Sequence, residues 1–335
     1  MLTGSSSYYV CEKSDGQRYL LLCTSDPSTN SEAIFLIDRR NDYWLIGGNP
    51  HFPVKGDDTF QRFHTNTLID GELVYDKEKD GSQRAKFLVF DCLVIDKKPL
   101  MGRTLDKRLA YFQDYFYGPY KALLRKFPQE VPYMPFIVEM KQMQFGYATE
   151  MMFKDVLPKL PHGNDGLIFT CRGSAYQFGT DPHILKWKPE NENSIDFKLM
   201  LEWDPVKPDE QDRAEDFTEP YIDYDAIPTC HLFVGGDGDT DKWFGSMHLE
   251  PVEWEALKKR GEPLNGRIAE CYMDEKKRWR FMKFRDDKDR GNYHTVVEGV
   301  IESIKDRVTA DELIGMAKQI KDAYKQRNPP GAPPK

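Results

Sequence analysis

The chain has 335 residues, of which 39% are hydrophobic and 30% charged, and its formal net charge at pH 7 is −8. This length allows two domains with separate cores, and the negative charge argues against a protein that coats nucleic acid over its whole surface. No apolar run approaches a membrane span and no signal peptide is recognisable, so we expect reduced thiols at the six scattered cysteines and no cysteine zinc site.

The negative charge is concentrated in one segment. Between Asp196 and Asp225 the sequence has eleven acidic and three basic residues, and this difference of eight equals the net charge of the whole chain. The rest of the chain is therefore close to neutral. A basic cleft for a phosphorylated ligand remains possible there.

The first predicted elements flank a short polar stretch. Apolar runs at residues 8–11 and 19–23 predict two strands, and Asp15-Gly16 between them predicts a tight hairpin turn. Lys13 stands at the end of the first run and is the candidate nucleophile. Because an amine attacks phosphorus only when neutral, this lysine needs a lowered pKa. For so short a pattern, the alternative is a solvated lysine at a hairpin tip.

The following part of the chain predicts an antiparallel sheet covered by helices. Further strands are predicted at residues 33–40, 43–46, 64–75, 85–95, 136–141, 165–171 and 184–189. Helices are predicted from residue 104 to a break at residues 118–119, at residues 121–127 and at residues 151–157. Glu72 and Asp91 fall inside apolar strands, so each needs a reason to be there. Asp91 stays open between support of the fold and orientation of a lysine.

The composition changes after Pro189. Short strands are predicted at residues 195–203, 230–235, 243–249, 267–274 and 278–285, with a helix at residues 251–260. This pattern suits a small OB-type barrel, with residues 204–228 as an acidic loop. Helices are expected at residues 293–307 and 310–327, and the proline-rich residues 328–335 are expected to be disordered.

Two further patterns are not interpreted as metal sites. Asp237, Asp239 and Asp241 alternate like the ligands of a calcium loop, but Lys242 stands where that loop needs glycine and His248 where it needs glutamate. We therefore expect an acidic turn. The seven histidines show no metal-ligand spacing either.

Six short motifs in a fixed order carry a resemblance to a known family. They are Lys13-Ser14-Asp15-Gly16, Asp70-Gly71-Glu72, Val89-Phe90-Asp91, Asp165-Gly166-Leu167, Lys186-Trp187-Lys188 and Arg285-Asp286-Asp287-Lys288. Together they resemble the covalent nucleotidyltransferases, which comprise mRNA guanylyltransferases and ATP-dependent polynucleotide ligases. The strings at residues 185–189, 279–281 and 285–288 are most similar to the capping branch, and within it to the single-function fungal enzymes.

The resemblance implies an α+β fold with two domains. Residues 1–193 would form an antiparallel-sheet nucleotidyltransferase domain with the ATP-grasp-like ligase fold. Residues 194–292 would form a C-terminal OB-fold β-barrel domain, followed by helices at residues 293–327. Family members usually carry a segment before the nucleophile strand that helps to seat the nucleotide, and we expect that segment to be missing here.

The resemblance also implies the reaction. Lys13 would attack the α-phosphate of GTP, release pyrophosphate and carry GMP to the 5′-diphosphate end of nascent mRNA, which forms the GpppN cap. Lys186 and Lys188 alternate on one strand, so they can hold a triphosphate and disfavour a third ammonium at Lys13. Asp165 and Glu72 would lie near a divalent metal, Mg²⁺ or Mn²⁺.

The other nucleotide-binding residues follow from their places in the motifs. Arg18 and Arg39 would contact ribose or phosphate. Phe90 would stack on guanine, with core packing as the alternative, and Lys141 would read the guanine edge.

Arg285, Asp286 and Lys288 would reach the β- and γ-phosphates from the second domain, which requires the domains to close. The resemblance implies partners as well: an RNA 5′-triphosphatase subunit and the phosphorylated C-terminal domain of RNA polymerase II, in the nucleus and away from membranes. Two alternatives stay open, an ATP-dependent polynucleotide ligase and an inactive transferase-fold scaffold.

Overall fold

The structure is a computed structural model that describes residues 2, 4, 7–48, 50–189, 193–214, 216, 218–306 and 308–328. The chain divides into two compact units: residues 1–188 together with residues 310–335, and residues 189–309. Residues 329–335 of the predicted disordered tail lie outside the described residues. Within the described part of the chain, no helix has both the length and the apolar character needed to cross a membrane.

The first unit contains two sheets. Their strands are β1 (Tyr8–Ser14), β2 (Gln17–Ser25), β3 (Glu32–Ile37), β4 (Tyr43–Leu45), β5 (Thr67–Lys77), β6 (Gln83–Ile95), β7 (Lys98–Pro99), β8 (Ile137–Met140), β9 (Gln144–Phe145), β10 (Asn164–Cys171) and β11 (Ile184–Trp187). The smaller sheet has the order β11-β10-β1-β9, and the larger has the order β4-β3-β2-β5-β6-β7 with β8 beside β6.

The fold is α+β as predicted, but the larger sheet is mixed. The pairs are antiparallel except that of β6 with β8, which run parallel. The chain between β7 and β8 forms a helical crossover, after which β8 pairs with β6 in the parallel direction. A parallel pair requires a crossover connection of this kind. The prediction of purely antiparallel sheets is therefore corrected.

The predicted hairpin at Asp15-Gly16 is wrong. β1 pairs with β9 and β10 in the smaller sheet, whereas β2 pairs with β3 and β5 in the larger sheet, so the chain crosses from one sheet to the other after Lys13. The Asp15 N–H donates to the Gly163 carbonyl at 2.9 Å. Gly16 is required by close packing, since a Cβ atom there would lie 2.6 Å from the Leu73 carbonyl oxygen.

The helices of the first unit cover the larger sheet. They are α1 (Leu105–Tyr111), a π-helical turn (Phe112–Tyr117), α2 (Gly118–Lys126), a 3₁₀ helix (Pro128–Tyr133), and α3 (Thr149–Met151) continued by a π-helical turn (Met152–Val156) and a 3₁₀ turn (Leu157–Lys159). Buried Phe112 and Phe116 pack in one core with Ile69, Phe87 and Val89 of the central strands.

The predicted helix break at Gly118-Pro119 is also wrong, because α1 passes through the π-helical turn into α2. Gly118 donates its N–H to the Gln113 carbonyl, five residues back. In a regular α-helix the proline ring would clash with the carbonyl four residues earlier, and we attribute its tolerance here to the wider turn.

The second unit is a closed sheet of short strands with three helices among its described residues. They are β12 (Ser194–Glu202), α4 (Glu210–Ala214), β13 (Thr229–Gly235), β14 (Asp241–Met247), α5 (Pro251–Lys258), β15 (Ile268–Met273), β16 (Trp279–Phe284) and α6 (His294–Lys305). The strand order is β12-β13-β14-β16-β15, and β15 returns to pair with β12. The segment predicted as an acidic loop at residues 204–228 includes the short helix α4.

The last two described helices belong to the first unit. The predicted helix at residues 310–327 forms α7 (Ala310–Gly315) and α8 (Ala317–Arg327), while α6 belongs to the second unit. Thr149 donates to the Leu313 carbonyl at 3.4 Å, and Arg172 donates to the Tyr324 hydroxyl at 3.2 Å. These contacts attach the last two helices to the unit that contains Lys13. The six cysteines are free and buried.

Candidate active site

A cavity of about 520 Å³ in the first unit contains most of the predicted site residues. It is lined from both sheets, and its lining includes Lys13, Arg18, Arg39, Glu72, Phe90, Lys141 and Lys186. Cavities of this size accommodate ligands as large as a nucleotide.

Lys13 lies at this cavity and is paired with Asp165. Its Nζ lies 2.7 Å from Oδ1 and 2.6 Å from Oδ2 of Asp165, and Lys188 Nζ lies 3.1 Å from the same Oδ2. Both side chains of the Lys13–Asp165 pair are about one fifth exposed, at 21% and 19%. Lys13 is therefore a held side chain and not a solvated residue at a hairpin tip.

Asp165 can reach Lys13 because of the glycine that follows it. Gly166 has φ +126, and a Cβ atom there would lie 2.0 Å from the Trp187 carbonyl oxygen. Without a side chain at this point, β10 packs directly against the end of β11. The Asp-Gly pair thus brings Asp165 to the same edge as Lys186 of β11 and as Lys188, which follows that strand.

Lys186 titrates below the usual lysine range because of its surroundings. Burial, together with the positive charges of Lys13, Arg39, Lys188 and Arg18, lowers the pKa of Lys186 below the usual lysine value. Of these cations, Lys13, Arg18, Arg39 and Lys186 line the cavity. Such an arrangement is suited to a polyanion such as a triphosphate.

Arg18 and Phe90 lie together on another part of the cavity wall. Arg18 makes two hydrogen bonds to Asp70, from Nε at 2.9 Å and from Nη2 at 2.6 Å. The guanidinium carbon of Arg18 lies 5.7 Å from the centroid of the Phe90 ring. Phe90 is only partly buried and lines the cavity, so its ring is accessible to a ligand there.

Glu72 and Lys141 belong to a buried polar cluster with Ser14 and Glu12. Lys141 Nζ donates to Ser14 Oγ at 2.6 Å and lies 3.4 Å from Glu72 Oε2 and 3.8 Å from Glu12 Oε1. The Ser14 hydroxyl also donates to Glu72. Burial raises the pKa of Glu12, against the opposing charge of Lys141. This cluster supplies the reason for an acid at position 72 of a central strand.

Asp91 supports the fold. It forms two hydrogen bonds with the buried Arg108 of α1, at 2.6 and 2.8 Å. Arg108 is 2% exposed and also donates to the Ser174 carbonyl at 2.9 Å. Of the two roles left open for Asp91, the structure supports the first, because its partner is an arginine of the helical layer.

The donor set for a metal is small. Among the described residues, no three acidic, histidine or cysteine side chains are grouped as metal ligands. Asp165 and Glu72 offer carboxylate oxygens, which are hard ligands. Mg²⁺ commonly binds through one or two carboxylates together with substrate phosphates and water. The residues therefore fit a metal that comes with a nucleotide better than a closed protein site.

Arg285, Asp286 and Lys288 belong to the second unit, where each has an ion-pair partner. Arg285 Nη1 lies 3.2 Å from both carboxylate oxygens of Asp196, and Lys288 contacts the same carboxylate. Asp286 accepts a hydrogen bond from Arg267 at 2.7 Å.

Sequence reasoning missed several cavity residues. Asp70 lies inside one of the six motifs but was assigned no role. Ser14, which directly follows Lys13, was assigned none either. Arg108 lies on a predicted helix. Tyr176 and its neighbours lie in an irregular segment with no periodicity, so no local pattern could have marked them.

Comparison with known proteins identifies the family. Residues 2–190 match the family model of the mRNA capping enzyme catalytic domain, and residues 192–314 match that of the mRNA capping enzyme C-terminal domain. The chain is 48% identical over 330 residues to the mRNA-capping enzyme subunit alpha of Neurospora crassa, covering 96% of this chain and 81% of that protein. The protein of the same name from Schizosaccharomyces pombe is 40% identical, covering 97% of this chain and 78% of its own length.

Among solved structures, mycobacterial DNA ligase D complexed with ATP and MES aligns with 84% of this chain and 90% of its own, at 17% identity and a TM-score of 0.41. The two family models together cover most of both units described above, up to residue 314. The chain therefore belongs to the mRNA capping enzyme family and is an mRNA guanylyltransferase.

Proposed function

We propose that Lys13 forms a covalent bond to GMP taken from GTP and passes it to the 5′-diphosphate end of nascent mRNA. The single observation that carries this proposal is the position of Lys13, which is held by Asp165 at a cavity where Arg18, Arg39 and Lys186 converge. An amine on a rigid strand beside several cations is the arrangement needed for attack on a polyphosphate.

The reaction has two steps, formation of the lysine–GMP adduct and transfer of GMP to the RNA. The neutral Lys13 amine attacks the α-phosphorus, and a P–N bond forms. The bond between the α-phosphorus and the oxygen that bridges it to the β-phosphate breaks, so pyrophosphate leaves. The nitrogen gives up a proton, which leaves a phosphoramidate. In the second step a terminal oxygen of the RNA diphosphate attacks the same phosphorus, the P–N bond breaks, and the Lys13 nitrogen regains a proton.

The other residues would bind and orient the nucleotide. Lys186 and Arg39 would neutralise its phosphates, and Phe90 would stack on the guanine, since aromatic faces bind bases without a sequence requirement. Lys141 with Ser14 would contact the edge of the base. A divalent metal, Mg²⁺ or Mn²⁺, would be held by Asp165 and Glu72 and would neutralise charge on the phosphates.

The second unit would complete the enzyme as an OB-fold barrel. Its closed five-stranded order supports this interpretation. Arg285, Asp286 and Lys288 would contact the β- and γ-phosphates of GTP.

The similarity to proteins named subunit alpha supports a partner subunit, which we propose to be an RNA 5′-triphosphatase. We further propose action in the nucleus, together with the phosphorylated C-terminal domain of RNA polymerase II.

Labelling with GTP and ATP, each radioactive at the α-phosphate, tests the proposal. The protein should form an acid-labile adduct with GTP and a divalent metal, and Lys13→Ala should abolish it. Lys154→Ala is the matched control, because Lys154 is an exposed lysine of the same unit, paired with Glu150 at 2.7 Å and absent from the cavity lining.

The outcomes separate the alternatives. Labelling by ATP in place of GTP would indicate a polynucleotide ligase. An absence of any adduct, with the metal present, would indicate a scaffold without activity. Labelling of the Lys13→Ala variant would place the nucleophile elsewhere.

A further inference from the structure

The segment between β10 and β11, residues 172–183, forms one wall of the cavity although it contains none of the predicted motifs. We call it the β10–β11 loop. Its cavity-lining residues are Ser174, Ala175, Tyr176, Gln177, Gly179, Thr180 and Asp181. An irregular segment with this much contact with a cavity has to be held by specific bonds if the cavity is to keep its shape.

The loop is fixed from the side of the helical layer. The Tyr176 N–H donates to the Met101 carbonyl at 2.9 Å, and Arg108 donates to the Ser174 carbonyl at 2.9 Å. The guanidinium carbon of Arg108 lies 5.9 Å from the centroid of the Tyr176 ring. The backbone and ring of Tyr176 are therefore held by Met101 and by Arg108, a buried residue of the helical layer that also lines the cavity.

The hydroxyl of Tyr176 joins Arg18 and Asp70 in a closed hydrogen-bonded triangle. It donates to Asp70 Oδ2 at 2.8 Å and accepts from Arg18 Nη2 at 3.1 Å, while Arg18 binds both oxygens of Asp70. Asp70 is completely buried, at 0% exposure. Burial and the nearby Asp70 raise the pKa of Tyr176, so its hydroxyl stays protonated and keeps its donor role.

The triangle leaves one nitrogen of Arg18 available. Nε and Nη2 are used by Asp70 and Tyr176, whereas Nη1 makes no hydrogen bond within the described part of the chain. Two of the three guanidinium nitrogens are thus fixed, which sets the plane of the group against Phe90 and the direction of Nη1. A preset direction reduces the ordering that a bound nucleotide must impose.

We infer that Tyr176 is a positioning residue, which fixes Arg18 through the buried carboxylate of Asp70 so that Arg18 can bind the sugar-phosphate part of GTP. The inference rests on the proposed function, because it takes Arg18 as a nucleotide ligand. Tyr176 acts on the ligand through Arg18, and its effect should therefore fall on nucleotide binding.

A double-mutant cycle tests the inference, with the rate of adduct formation measured against GTP concentration. Tyr176→Phe keeps the ring and removes the hydroxyl. We expect the GTP concentration for half-maximal rate to rise about 3- to 10-fold, the size of effect that the loss of one hydrogen bond of ordinary strength gives, and by more than any fall in the maximal rate. In an Arg18→Ala background, the same change should have almost no further effect.

Tyr120→Phe is the matched control. Tyr120 is a buried tyrosine of the same unit, its hydroxyl accepts from the Val138 N–H at 3.3 Å, and it does not line the cavity. This variant should lower thermal stability without changing the dependence on GTP. Thermal unfolding of each variant shows that it is folded before its kinetics are compared.

The results separate this inference from the proposed function. Failure of the unmodified protein to form a GMP adduct would overturn the proposed function. Labelling of the unmodified protein, combined with an unchanged GTP dependence in Tyr176→Phe, would overturn the inference alone. Effects of Tyr176→Phe and Arg18→Ala that simply add would overturn it too, because Tyr176 would then act independently of Arg18.

Discussion

Lys13 Nζ lies within 2.7 Å of both carboxylate oxygens of Asp165, although 152 residues separate them in the sequence. The pairing of β1 with β10 brings them together, and Lys188, just after β11, binds the same carboxylate. One carboxylate thus sets the position of the proposed nucleophile and of a second cation. This makes Asp165 the residue on which the geometry around Lys13 depends.

Asp165→Asn should reduce adduct formation by about 100-fold or more, in line with the loss of other preorganised charged groups in active sites. A neutral amide cannot balance the ammonium groups of Lys13 and Lys188 or hold a metal with comparable strength. Single-turnover labelling at saturating GTP measures the effect. Lys13→Arg is the comparison, because a guanidinium can still pair with Asp165 but stays protonated and cannot attack. Normal labelling of Asp165→Asn would show that the ion pair has no role.

Gly166→Ala should abolish activity and lower stability. The new methyl group would meet the Trp187 carbonyl, and alanine disfavours a positive φ, so β10 and β11 would have to separate and carry Asp165, Lys186 and Lys188 apart. Gly173→Ala is the matched control in the same unit, because a Cβ atom there meets nothing within 4 Å. Labelling and thermal unfolding measure both variants. Equal behaviour of the two would refute the requirement for close packing at residue 166.

Several of the predicted cavity residues lie on strands that the apolar pattern predicts, and the motif resemblance gave them their roles. Lys13, Glu72, Phe90 and Lys186 each belong to such a strand. Periodicity marks strands, and a polar residue inside one stands out against its apolar neighbours.

The errors have a common physical origin, which is that local patterns do not determine distant pairing. Asp15-Gly16 has the composition of a hairpin turn, but β1 finds its partner about 150 residues later, so the chain changes sheets there. Tyr176 was missed because its role depends on hydrogen bonds to Asp70 and Arg18, which come from two other strands. Neither relationship is visible within a short window of sequence.

Arg108→Met should destabilise the first unit by about 3–5 kcal/mol, the usual cost of leaving one partner of a buried ion pair alone. Asp91 would remain buried without its two hydrogen bonds from Arg108, and the β10–β11 loop would lose the bond to Ser174. Urea denaturation measures the change. Lys154→Met removes an exposed pair with Glu150 and should cost less than about 0.5 kcal/mol. Equal costs would mean that the Asp91–Arg108 pair does not support the fold.

The affinity for GTP should fall at alkaline pH earlier than ordinary lysines would cause. Burial and neighbouring cations lower the pKa of Lys186, so it loses its positive charge below the usual lysine range, and the loss weakens the attraction of a triphosphate. The affinity for GTP is highest where Lys186 is protonated and declines as pH rises through its lowered pKa. Binding of GTP should accordingly be accompanied by proton uptake near that pH.

Titration of GTP binding between about pH 7.5 and pH 10 tests this prediction, because an ordinary lysine stays largely charged over most of that range. Lys186→Arg keeps the charge at every pH used, so its affinity should be nearly constant where that of the unmodified protein declines. A decline of the same size in the Lys186→Arg variant would assign the titration to a different group.

The two chemical steps should depend very differently on Arg285. Asp196, buried at 5% exposure on β12, holds both Arg285 and Lys288, so the two cations are fixed together within the second unit. If Arg285 and Lys288 bind the β- and γ-phosphates of GTP, those phosphates leave as pyrophosphate after the first step. The second step therefore contains no phosphate for these two side chains to bind. Arg285→Ala should nearly eliminate adduct formation from GTP and, by microscopic reversibility, the return of GMP to pyrophosphate. Transfer from an adduct already formed to diphosphate-ended RNA should slow by less than about 3-fold, which corresponds to under 1 kcal/mol.

Single-turnover assays on protein guanylylated beforehand by prolonged incubation measure the second step alone. Asp196→Asn should reproduce the asymmetry in weaker form, because it releases Arg285 and Lys288 without removing either charge. Arg278→Ala is the matched control, since Arg278 is an arginine of the same unit paired with Asp274 at 2.9 Å, and its loss should leave both steps unaffected. Equal losses in both steps for Arg285→Ala would mean that this arginine maintains the second unit or binds RNA, and its assignment to the leaving phosphates would be wrong.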